Sequence, residues 1–159
     1  MNTNQTDSPL EDRTVNVKVK LALLWVALMF FYIYNDVLSF QQPGHVADLL
    51  EGQLEGVEIT RGILFGGAIL MALPSFMVLL SLTLQAKVNR LVNIVMGGFH
   101  ILVLAGTQFV GDGETWLYWR VFEVLEALFL GLIIWTAWNW PNAATQRQDS
   151  MNLAGQSTA

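Results

Sequence analysis

The chain has 159 residues, of which 53% are hydrophobic and 13% charged, with a mean hydropathy of +0.45, a net charge of −5 and a pI near 4.8. Soluble domains carry about 25% charged residues, so a water-soluble globule is excluded, and an acidic chain without a basic cluster argues against a nucleic-acid partner. Cysteine is absent, which removes disulfides, thiolate nucleophiles, iron–sulfur ligation and Cys-based zinc sites, and two histidines are too few for an all-histidine metal site.

The first segment, Met1 to Thr14, is polar and acidic. It lacks the basic start and small-residue cleavage site of a secretory signal, so the apolar run that follows reads as a retained helix. Four apolar runs follow in order: Lys18 to Phe40, Arg61 to Leu84, Leu91 to Val110 and Trp116 to Trp140. Each is long enough to cross a bilayer core of about 30 Å at about 1.5 Å per residue. The expected architecture is all-α, a four-helix transmembrane bundle over residues 17–141, with residues 1–16 and 142–159 as disordered tails.

Lysine and arginine set the expected orientation. Arg13, Lys18 and Lys20 precede the first helix, Lys87 and Arg90 fill the turn between the second and third, and Arg147 lies in the C-terminal tail. The opposite side holds Arg61 and Arg120 together with Asp48, Glu51, Glu55, Glu58, Asp112 and Glu114. Both termini are therefore expected in the cytoplasm. In the first outer loop, Val46, Leu49, Leu50, Leu54 and Val57 recur at helical spacing opposite Asp48, Glu51, Glu55 and Glu58, which predicts a short amphipathic helix weakened by Gly52 and Gly56.

Ionisable groups inside a bilayer are costly and face the protein interior. Tyr32, Asn35, Asp36 and Ser39 share one face of the first helix. Asn93, Gly97, His100, Thr107 and Gln108 share one face of the third, and Arg120, Glu123, Ala127 and Gly131 form a stripe on the fourth with Glu126 to its side. The expected outcome is a polar cluster in the outer half of the bundle. Its members are Asp36, His100, Gln108, Arg120, Glu123 and Glu126, with Arg61, Tyr32 and Asn35 at the rim. Such a cluster suits a proton-linked or ligand-binding cavity, or an ion-pair network that fixes helix register. No metal or cofactor is expected: the Glu-x-x-His pattern of di-iron bundles is absent, and His45 and His100 lie at different depths.

Gly62 and Gly66 form a GxxxG, and Ala127 and Gly131 a small-xxx-small pair. They are expected to let helices pack closely within one bundle, with a dimer as the other use. Pro74 interrupts the second helix, and Trp116, Trp135, Trp138 and Trp140 read as interfacial anchors.

The segments YIYNDVLSF, LPSFMVLLSLTL, NRLVNIVMGG and IIWTAWNWP carry a resemblance over roughly Leu21 to Pro141. The chain resembles small bacterial four-helix integral membrane proteins grouped as a domain of unknown function, similar in general plan to the DoxX-like proteins. The resemblance implies the bundle and a bacterial inner-membrane location, and no activity. The leading functional expectation is a small accessory or interaction protein, self-associating or joined to a larger membrane complex. The alternatives are a proton- or cation-linked pathway through the acidic outer half and, more weakly, a quinone- or lipid-handling enzyme.

Overall fold

A computed structural model describes residues 15–54, 56–109 and 116–141. The expected tails, apart from Val15 and Asn16, and the loop acids Glu55, Asp112 and Glu114 lie outside the described residues. Four long helices dominate: α1 (Val17–Ser39), α3 (Arg61–Thr83), α4 (Ala86–Thr107) and α5 (Leu117–Trp138). Each has 22 or 23 residues and is apolar enough to cross a membrane, which makes the chain a multi-pass membrane protein. The outward surface agrees: Leu64, Phe65, Phe76, Leu102, Leu117, Val124 and Trp135 are all exposed. Lipid, not protein, is the solvent for these side chains.

Local chemistry sets the ends. Asn16 Oδ1 accepts from the Lys18 amide at 2.9 Å and opens α1, and Thr60 Oγ1 accepts from the Ile63 amide at 3.2 Å and opens α3. α5 stops before Pro141, which cannot continue a helix. α3 runs through Pro74, whose missing N–H leaves the Leu70 carbonyl without its helical donor.

The helix expected in the first loop exists as α2 (His45–Leu50) but ends there. Gly52 and Gly56 have φ of 78° and 80°, a left-handed backbone that breaks the helix. The chain turns instead into a two-residue hairpin, β1 (Gln53–Leu54) antiparallel to β2 (Val57–Glu58), with Leu54 opposite Val57. Leu54 and Val57 therefore belong to the hairpin and not to an amphipathic helix. The third long helix also begins five residues earlier than expected. Only Leu84 and Gln85 separate α3 from α4, so Lys87 and Arg90 sit in the first turns of α4.

α1 packs against α3 on one side and α5 on the other, and α4 packs against α5 and touches α3. α1 and α4 thus face each other diagonally. Their inward stripes are Leu21, Trp25, Leu28, Tyr32, Asn35 and Ser39 on α1, and Asn89, Asn93, Gly97 and His100 on α4. The apolar core is Leu21, Trp25, Leu28, Met77, Leu130, Ile133 and Ala137. We call the end bearing α2 the hairpin end and the opposite end the turn end.

The small-residue pairs do not serve the interior packing expected of them. A Cβ at Gly66 or Gly131 would meet nothing within 4 Å, and one at Gly62 only the hydroxyl of Thr60. Every residue from Arg61 to Ile69 is exposed. The close approach is at Gly97, where a Cβ would stand 2.8 Å from Ile134 Cγ1 of α5.

Candidate functional site

Two polar groupings occupy the interior at different depths. The first lies toward the turn end. Trp25 Nε1 donates to Asn93 Oδ1 at 2.7 Å, and Ser81 Oγ donates to the same oxygen at 3.2 Å. Asn93 Nδ2 donates to Asn89 Oδ1 at 2.7 Å and to the Asn89 carbonyl at 2.9 Å. Asn89 Nδ2 in turn donates to the Ser81 carbonyl at 2.6 Å. All four residues are fully buried. Asn93 uses both amide hydrogens and both oxygen lone pairs, so its polar groups are satisfied without solvent. A saturated network of this kind fixes which helices meet and in what register.

Sequence reasoning placed Asn93 on an inward face but missed Asn89, Ser81 and Trp25 as its partners. The i, i+4, i+8, i+11 spacing of Asn89, Asn93, Gly97 and His100 was the available signal. Placing Asn89 in a turn concealed it.

The second grouping lies toward the hairpin end. His100 on α4 is buried, and its Nδ1 is 3.3 Å from the Tyr32 hydroxyl of α1. Trp25, Tyr32 and Phe99 surround the ring, with centroids 5.7, 6.2 and 5.5 Å away. With the Tyr32 hydroxyl donating to Nδ1, the ring proton resides on Nε2, and Nε2 is a buried atom without a hydrogen-bond partner among the described residues. Glu126 on α5 is 7% exposed and makes no hydrogen bond or ion pair among the described residues. It lies within electrostatic reach of Tyr32, Glu123 and Asp36. Asn35 Oδ1 and Trp119 Nε1 are two further buried polar atoms without partners among the described residues.

The expected outer cluster is thus divided. Gln108, Arg120 and Glu123 do meet: Arg120 donates to Gln108 Oε1 and, at 2.8 Å, to Glu123 Oε2, while Gln108 Nε2 donates to Glu123 Oε1 at 2.7 Å. This triad caps the end of α4 against the start of α5 and is partly solvent-exposed, with Arg120 half exposed. Tyr32, expected at the rim, pairs with His100 inside. Asp36 is exposed and its carboxylate makes no hydrogen bond among the described residues. Arg61, at the start of α3, pairs with none of the cluster. Among the described residues no three His, Asp or Glu side chains converge closely enough to hold a metal ion.

Ser39, His45, Gln42 and Tyr118 close the hairpin end. Ser39 Oγ lies 3.3 Å from His45 Nε2, and Gln42 Nε2 donates to the Tyr118 hydroxyl, tying the loop after α1 to the first turn of α5.

In comparison with known proteins, the model of a family of unknown function (DUF6326) matches residues 11–146. No curated protein and no solved structure matches the chain.

Proposed function

We propose that this chain, which belongs to the DUF6326 family of unknown function, exchanges protons through a polar chamber in the hairpin half of its bundle. Glu126 is the proton-carrying carboxyl, and the Tyr32–His100 pair is its relay. The observation that carries the proposal is the isolation of Glu126. It is buried, yet Arg120, on the same helix nearer the exposed end, is engaged by Glu123 and Gln108. Removing a bare carboxylate from water costs several kcal/mol, and a proton or a cation removes that cost. Among the described residues the acids do not converge as metal ligands do, which favours the proton. The hairpin end is outside and both termini are cytoplasmic in a bacterial inner membrane, because Lys18, Lys20, Lys87 and Arg90 gather at the turn end while Asp48, Glu51 and Glu58 gather at the other.

The test is carbodiimide labelling followed by proton flux. A hydrophobic carbodiimide modifies intramembrane carboxyls that carry a proton, so Glu126 is the expected adduct. Liposomes holding the wild-type chain should take up protons under a potassium-diffusion potential, Glu126→Gln should abolish uptake, and Tyr32→Phe should slow it. Uptake by Glu126→Gln at the wild-type rate would sink the proposal.

A second function is favoured by one separate observation. The Gly62–Gly66 and Ala127–Gly131 pairs face away from the bundle, where a helix of another copy or of a larger complex can approach closely. As an accessory protein the chain would self-associate through α3. Gly66→Leu should then convert a cross-linkable dimer to monomer in native membranes, and a wild-type chain that is monomeric there would remove this role.

A further inference from the structure

A groove of about 390 Å³ runs between α1 and α5 at the turn end, lined by Lys20, Leu23, Leu24, Phe129, Leu132 and Thr136. Its polarity is graded. Lys20 lies in the first turn of α1 and Thr136 in the last turn of α5, so both polar side chains sit at the same end of the antiparallel pair. Leu23, Leu24, Leu132 and Phe129 continue from there toward the membrane interior. Phe129 is held in place by an edge-to-face contact with Phe31, at 4.9 Å and 87°, so that wall of the groove is a fixed aromatic surface.

The cation at the mouth has no partner among the described residues. Lys18, two residues earlier, donates its Nζ to the Leu82 carbonyl at 3.4 Å and is directed to α3. The Lys20 ammonium makes neither a hydrogen bond nor an ion pair among the described residues, and the Thr136 hydroxyl makes no hydrogen bond. A charged donor and a hydroxyl donor therefore stand at headgroup level above an apolar slot. That is the complement of an anionic phospholipid: phosphate oxygens at the mouth and an acyl chain below.

We propose that this groove is a binding site for one anionic phospholipid, with its phosphate on Lys20 and Thr136 and one acyl chain against Leu24, Leu132 and Phe129. The phosphate end of the site, at Lys20 and Thr136, is about 15 Å along α5 from Glu126 at 1.5 Å per residue, and its test reads lipid retention, so it stands or falls separately from proton exchange.

The full chain, purified in mild detergent, is offered phosphatidylglycerol or phosphatidylcholine with identical acyl chains, and retained lipid is counted by native mass spectrometry. One surface cation contributes about a fivefold preference for the anionic headgroup. The wild type should hold one phosphatidylglycerol with that preference, and Lys20→Arg should keep it. Lys20→Gln should lose the preference while still taking up lipid, Thr136→Trp should weaken both lipids by filling the groove, and Lys87→Gln on α4 should behave as wild type. Equal retention of the two lipids by the wild type overturns the site. So does an equal loss of preference in Lys20→Gln and Lys87→Gln, which would mark a diffuse charge effect.

Discussion

Trp25 and Asn93 are joined by a 2.7 Å hydrogen bond that crosses the bundle on its diagonal, linking α1 to the helix it does not pack beside. Lipid tails offer a helix no polar partner, so a buried indole N–H and a buried amide specify each other in a way that leucine on leucine does not.

Removing that bond should loosen the bundle by a modest amount. Trp25→Phe is expected to cost about 0.6 kcal/mol, the usual scale for an interhelical hydrogen bond in a membrane. Asn93→Leu should cost more, about 1–3 kcal/mol, because it strands Trp25 Nε1, Ser81 Oγ and the Asn89 side chain together. Unfolding in a graded detergent mixture measures both, and the double variant should cost less than the sum.

Among the described glycines, Gly97 is the one pressed closest against a neighbouring helix. Gly97→Ala should destabilise by about 1–3 kcal/mol through overpacking against Ile134. Gly98→Ala, whose Cβ would meet nothing within 4 Å, should be neutral. Combining Gly97→Ala with Ile134→Val should recover part of the loss. Equal behaviour of the two alanine variants would place α4 and α5 further apart.

Glu123 and Glu126 should respond differently to the same neutralisation. Glu123→Gln removes an ion pair with a half-exposed arginine, worth about 0–1 kcal/mol, and its effect should fade in high salt. Glu126→Gln replaces a buried carboxyl that makes no hydrogen bond among the described residues with a neutral amide of similar size, so stability should hold while proton uptake disappears. A larger stability loss at 126 than at 123 would point to a structural carboxylate.

Helix order can be checked by thiol cross-linking, because the chain has no cysteine of its own. Met29 Sδ and Ser75 Oγ lie 3.6 Å apart across α1 and α3. The Met29→Cys, Ser75→Cys pair should be joined by a short bifunctional thiol cross-linker in membranes, whereas Met29→Cys with Leu102→Cys on the outward face of α4 should not.

Much of the site was legible one residue at a time. Inward placement of His100 and Glu126 followed from helical periodicity and from the cost of polar groups in lipid, whereas Tyr32, expected at the rim, lies deeper against His100. The meeting of Gln108, Arg120 and Glu123 was legible too, since a short connection forces the end of one helix against the start of the next. Periodicity locates the loop helix but overruns its end at Leu50, because a hydrophobic pattern carries no information on the positive φ that Gly52 and Gly56 adopt.

The sequence by itself determined the solvent, the number of spans and the residues that could not face lipid, because hydropathy and period are local properties of consecutive residues. Only the tertiary structure decided which helices are neighbours. That order pairs Trp25 with Asn93 across the diagonal and leaves Glu126 without the arginine. It also turns Gly62 and Gly66 outward, while Gly97 carries the close contact. Each helix presents several faces compatible with burial, and the choice among them rests on long-range packing that no run of twenty residues encodes alone.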